Sequence, residues 1–211
     1  YYQDNIVAKK ILLNFNNLPE KYNSSVVEKE WITAWHGTSF DRLESIAEVG
    51  LKPPGSILNN GEEIQIRPNH IQRNTKNKSY PSDWACGIFV SPSIFYSAHP
   101  AYSKEISLKN EQWKVLVEVR VKPNSYLERG STCGDEYKHK KNEPEILEYR
   151  IPPNNAEDVQ VYSLTFVKSK FFNVPFFEEG QFLYQNNNKY QNHIYHDFLL
   201  HQFDFLIFLS L

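Results

Sequence analysis

The sequence predicts an α+β domain built on a mostly antiparallel sheet. Short apolar segments of strand length outnumber the segments with helical spacing. The helical segments lie early in the chain. Residues 113–121 alternate: Trp113, Val115, Val117, Val119 and Val121 take one face, Lys114, Glu118 and Arg120 the other. That period of two is the mark of a half-buried strand.

The elements follow in order. Residues 1–30 carry one short apolar run, Ile11-Leu12-Leu13, among Asn, Glu and Lys, and read as a flanking segment. Residues 31–35 are bulky and β-branched and read as a strand. It ends in Trp35-His36-Gly37-Thr38, with His36 at the turn into a helix. Ser39 can cap that helix, and Phe40, Leu43, Ile46 and Ala47 share one helical face. Gly50 stands where a left-handed cap belongs, and Lys52-Pro53-Pro54-Gly55 turns the chain away.

Residues 56–83 form a long polar loop with a turn at Asn59-Asn60-Gly61. A loop of that length inside a compact domain is more often functional than idle. Residues 86–91 read as a short apolar strand, and Ser91-Pro92 as a helix start. Ile94, Phe95 and Ala98 would face the core, with Tyr102 at or just past the helix end. After a polar connection over 124–142, residues 145–151 form a strand with Glu145, Leu147, Tyr149 and Ile151 on one face. Residues 159–167, apolar on both faces, belong at the sheet centre. Past Lys170 the chain turns rich in Phe, Asn and Tyr. Residues 169–211 read as a loosely packed tail, outside a domain of 31–168.

The totals limit the function classes. At 211 residues and 40% hydrophobic, the chain can bury a real core. A net charge of -2 gives no basic field for nucleic acid. Cys86 and Cys133 make no disulfide framework, which points to a reduced, intracellular setting in cytoplasm or nucleus. The apolar stretch 194–211 is broken by His196, Asp197, His201 and Asp204, so no membrane span is expected. The chain begins at Tyr1 and holds no Met, and reads as a piece of a longer product. No zinc-ligand spacing and no phosphate-cradling glycine loop is present, so no metal is expected.

Three segments, in order, resemble the catalytic domain of the poly(ADP-ribose) polymerase (PARP) family, the diphtheria-toxin-like ADP-ribosyltransferases. His36-Gly37-Thr38 followed by Gly50-Leu51-Lys52-Pro53-Pro54 resembles the family's His-Gly-Ser/Thr segment and its Gly-Leu-basic run. Gly87-Ile88-Phe89-Val90 followed by Ser97-Ala98 resembles its Gly-Ile-Tyr-Phe strand and the Ser-Ala of the next helix. Residues 142–149, Asn-Glu-Pro-Glu-Ile-Leu-Glu-Tyr, resemble its closing Glu strand. The likeness spans residues 31–168.

The resemblance implies a PARP-like fold of two packed, mostly antiparallel sheets with a few short helices. It implies NAD as co-substrate and transfer of ADP-ribose to a protein side chain, as single units rather than long chains. His36 would bond the adenosine ribose. Gly37 would offer backbone to the nicotinamide carboxamide, its missing Cβ letting the ligand close in, and Thr38 of the same segment would belong to the NAD-binding set. Ser97 would donate to that carboxamide, and Tyr102, with Tyr96 the alternative, would stack on the ring. Glu145 would hold the ribose beside the nicotinamide, with Glu143 as the fallback. Phe89 stands where the family's His-Tyr-Glu triad has tyrosine, so it can pack on a ring but offers no hydroxyl. That departure keeps a second expectation open: a catalytically inactive module that binds NAD, ADP-ribose or a protein.

The chemistry fits those residue types. Breaking the nicotinamide–ribose bond builds positive charge on the ribose carbon. A carboxylate held against a ribose hydroxyl stabilises that charge, and aromatic faces exclude water.

Overall fold

The computed structural model describes residues 8–13, 22–66, 84–133 and 143–173. The chain divides into two units after Asn173, and all described residues lie in the first. Most of the expected tail and residues 67–83 of the long loop fall outside the described residues.

Among the described residues, the strands form two antiparallel sheets, with a few short helices between them. The larger sheet runs β1 (Ala8–Leu12), β8 (Val159–Lys168), β5 (Glu111–Val121), β2 (Ile32–Thr38), with β4 (Glu105–Leu108) also on β5. The smaller runs β3 (Ile88–Val90), β7 (Glu148–Ile151), β6 (Leu127–Arg129). The helices are α1 (Ser24–Glu30), α2 (Leu43–Val49) and α3 (Ile94–Ser97). None of the helices among the described residues is long and apolar enough to cross a membrane.

The α+β class and the antiparallel pairing agree with the sequence reading, and β8 is central, between β1 and β5. The valines of β5 explain the layering. Val115, Val117, Val119 and Val121 are fully buried and meet Leu164 and Phe166 of β8, Ala34 of β2, Ile88 and Val90 of β3, and Ile151 of β7. Leu43 and Ile46 of α2 join the same core. Each such side chain contributes about 1.5–3 kcal/mol of burial, which outweighs any local preference of these short segments.

Several local expectations change. The segment before residue 31 supplies a strand, because Ala8–Leu12 pairs with Val167–Ser163 of β8. The second face of β5 is buried too, with Lys114, Leu116 and Glu118 each at most 4% exposed. Its Glu118 is met there by Lys10 at 2.6 Å, Arg120 at 3.0 Å and Ser163 at 2.9 Å. β4 had no sequence signal of its own. It is closed onto β5 by Lys109 and Asn110, both at positive φ (51° and 64°), a tight hairpin made without glycine. Ala47 of α2 is exposed, because the helix of about two turns presents only Leu43 and Ile46 to the core.

Two changes matter for function. β2 runs on through Thr38, with His36 opposite Val117 and Gly37 opposite Leu116. His36 therefore lies within a strand, not at a turn. And β7 begins only at Glu148. Pro144 has no amide to give a ladder, and Glu145 stands exposed on a bend.

The sheets meet where β2 crosses the end of β3. Trp35 and Ser91 exchange both backbone hydrogen bonds, at 2.7 and 2.8 Å. β2 and β4 occupy successive stretches of one edge of β5, from Thr38↔Val115 to Glu105↔Lys114. The chain between β3 and β4, which holds α3 and Tyr102, is packed at that crossing.

Candidate functional site

His36 is half-buried on β2, and its Nδ1 lies 2.8 Å from the Phe89 carbonyl oxygen on β3. A carbonyl only accepts, so Nδ1 is the protonated nitrogen that donates. The residue thus ties the two sheets beside the Trp35–Ser91 crossing. Thr38 is buried at the end of the same strand.

Gly37 plays a different part from the one the resemblance implies. A Cβ there would fall 2.1 Å from the Ser97 carbonyl oxygen and 2.8 Å from the Tyr102 Cβ. The space its missing side chain leaves is filled by the protein itself. Ser97 is buried, and its hydroxyl donates to the Trp35 carbonyl at 3.0 Å. α3 is short and is capped by Ser93, not Ser91: Ser93 Oγ accepts from the Tyr96 amide at 3.1 Å. That cap sets the direction in which Tyr96, Ser97 and Tyr102 leave the helix.

Phe89 is half-buried on β3, edge-on to Trp84 with ring centroids 6.1 Å apart. By register it faces Arg150 of β7. Arg150 and Glu148 are two residues apart, so Phe89 and Glu148 share one face of the smaller sheet. The opposite face carries Ile88, Val90 and Ile151 into the main core.

Glu148 is the carboxylate at this place. It is 3% exposed, and its Oε1 gathers hydrogen bonds from the Tyr96 hydroxyl, the Tyr102 hydroxyl at 3.0 Å and the Thr132 hydroxyl at 2.5 Å. The Thr132 amide adds a longer contact at 3.3 Å and donates to the Tyr96 oxygen at 2.9 Å. Oε2 is equally buried and meets no hydrogen-bond partner among the described residues. Burial pushes the Glu148 carboxyl above the usual carboxylate range, against the pull of hydrogen bonds from Thr132, Tyr96 and Tyr102. The same burial, with the nearby carboxylate charge, raises both phenols well above their ordinary value.

An apolar wall of Tyr96, Cys133 and Leu147, with Ala101 and Tyr102, surrounds these groups. Behind Tyr102, the Cys133 Sγ lies 3.4 Å from His99 Nδ1. That nitrogen also accepts the Ala101 amide at 3.2 Å, so it carries the lone pair and the thiol is the donor. Cys86, in a 3-10 turn ahead of β3, is half-exposed. No group of three metal-ligating side chains occurs among the described residues.

Of the residues picked from the sequence, His36, Gly37, Phe89, Ser97 and Tyr102 come together at the sheet crossing. Glu145 does not join them. Glu143, the fallback, is half-buried and accepts from Ser93 Oγ at 2.5 Å, which ties its segment to the α3 cap. The sequence did not single out Glu148, Thr132 or the contact of Tyr96 with Glu148. The alternation over 145–151 had already put Glu148 and Arg150 together on one face. What it lacked was the side of the strand on which Tyr102 would land.

No protein-family model matches this chain, and no curated protein is significantly similar to it.

Proposed function

We propose that this domain is an NAD-dependent ADP-ribosyltransferase of the PARP-like kind, with Glu148 as the carboxylate that Glu145 was expected to supply. The observation that carries the reading is the Oε2 of Glu148. It is a buried acceptor without a partner among the described residues, on the sheet face it shares with Phe89 and in contact with Tyr102. An orphaned buried carboxylate oxygen costs free energy unless a ligand donates to it. A ribose hydroxyl is such a donor.

In this reading the nicotinamide–ribose C–N bond breaks and neutral nicotinamide leaves. Glu148 draws on the ribose hydroxyl and stabilises the oxocarbenium-like state. Phe89 and the Tyr102 ring supply apolar faces for the nicotinamide, and His36 stands at the other side of the crossing for the adenosine ribose. The Ser97 hydroxyl already donates to Trp35, so toward the carboxamide it offers an acceptor oxygen. The acceptor is a protein side chain, modified with single units.

A second reading, an inactive module that holds NAD or ADP-ribose, is favoured by two observations. Phe89 has no hydroxyl, and Glu148 is nearly enclosed. Titration calorimetry with NAD, run beside an assay for released nicotinamide, separates the two. Binding with release supports the transferase, binding without release supports the inactive module, and no binding rejects both.

A further inference from the structure

Glu148 has unequal oxygens. Oε1 is met by three hydroxyl donors, Tyr96 from α3, Tyr102 from the segment after it and Thr132 from the segment after β6, while Oε2 meets none among the described residues. A carboxylate oxygen has two lone pairs in its plane, so three hydroxyls already crowd Oε1. The two phenolic oxygens also lie 2.8 Å apart, and Tyr102 lies 3.0 Å from Thr132 Oγ1. Each hydroxyl has a single proton, so with all three donated to Oε1 these are close contacts between the donors and not further hydrogen bonds.

We infer that Tyr96 and Thr132 are positioning residues that occupy Oε1 and so present Oε2 as the single acceptor for one hydroxyl of a ligand. The inference rests on the transfer reading for the identity of that ligand, but the clamp itself belongs to the protein alone. The site then takes a sugar diol through one of its hydroxyls and does not chelate both. The Tyr96 and Thr132 hydroxyls are both spent on Oε1. Both act through Glu148.

Among the described residues, the charged and titratable groups around Glu148 are few. Tyr96 and Tyr102 face it from α3 and beyond. Cys133 adjoins Thr132, and His99 touches Cys133. Arg129 of β6 pairs with Glu148 across the sheet but is exposed, its guanidinium over the Trp84 ring at 4.6 Å. Arg150, on the same strand, donates from Nε to the Trp84 carbonyl at 2.9 Å. The clamp hydroxyls therefore dominate the acidity of Glu148 among its hydrogen-bonded neighbours, and each favours the ionised form.

The test is a carbon-13 NMR titration of the Glu148 side-chain carboxyl, assigned with Glu148→Gln, in the full chain. It is run on wild type, Tyr96→Phe, Thr132→Val and Thr132→Ser. The clamp predicts a higher titration midpoint in Tyr96→Phe and in Thr132→Val, with Thr132→Ser restored to the wild-type value. The acid limb of nicotinamide release should move the same way. Should Tyr96→Phe fail to fold, the two Thr132 variants carry the comparison. Unmoved midpoints in folded variants overturn the clamp even if nicotinamide is released. Shifted midpoints in a protein that releases no nicotinamide support the clamp and reject the transferase.

Discussion

Gly37 and Ser97 are packed so closely that a Cβ on Gly37 would lie 2.1 Å from the Ser97 carbonyl oxygen. The backbone of β2 and the end of α3 touch there, with Tyr102 against the same spot. A main-chain oxygen cannot swing aside as a flexible side chain can. Gly37→Ala should therefore destabilise the domain by at least about 1–3 kcal/mol, the cost of overpacking. Gly130→Ala, where a Cβ meets nothing within 4 Å, should stay close to wild type. Urea unfolding midpoints of the two variants check this, and equal midpoints would contradict the packing.

Ser97 gives a smaller effect. Its hydroxyl donates to the Trp35 carbonyl, which also accepts the Ser91 amide at 2.8 Å. Ser97→Ala leaves that carbonyl with one partner, so the loss should be about 0.5–1.5 kcal/mol. Denaturation measures it. A larger loss would mean that the hydroxyl does more than tie α3 to β2.

Glu148 sets a pH dependence. Its folded value is raised above the ordinary 4.5, so the folded state holds the proton more tightly than the unfolded chain does. Between those two values the folded state binds more protons, and stability falls as pH rises. The part of the stability that Glu148 governs is greatest below the unfolded value and is lost as pH rises through the folded one. Glu148→Gln removes this titration. The variant should show a flatter stability profile from 4.5 upward, read by urea unfolding at a series of pH values. An identical slope in both proteins would contradict the raised value.

The sequence made the larger architecture legible because the strongest signals were the strongest energies. The four alternating valines of β5 and the apolar run of β8 mark the two inner strands, and both form, although β5, read as half-buried, is buried on its second face as well. The weaker signals failed where tertiary pairing decides. β1 is five residues that exist as a strand through β8, and β4 is four residues held by a Lys109–Asn110 turn. At the site, residue types were legible for His36, Phe89 and Tyr102, which come together. The carboxylate was not. The alternation read over 145–151 put Glu145 and Glu148 on opposite faces, but the strand begins only at Glu148 and leaves Glu145 on an exposed bend. Thr132 lies 16 residues from its partner in a polar connection, with no period to mark it.

The identity of that carboxylate is the central claim, and nicotinamide release from NAD by wild type, Glu148→Gln and Glu145→Gln tests it most directly. Wild type should release nicotinamide. Glu148→Gln should lose about 10²–10³-fold, the scale of a removed charge-stabilising contact. Glu145→Gln, altered on an exposed bend, should keep the wild-type rate. Loss in Glu145→Gln with retention in Glu148→Gln, or no release from folded wild type, would contradict the assignment.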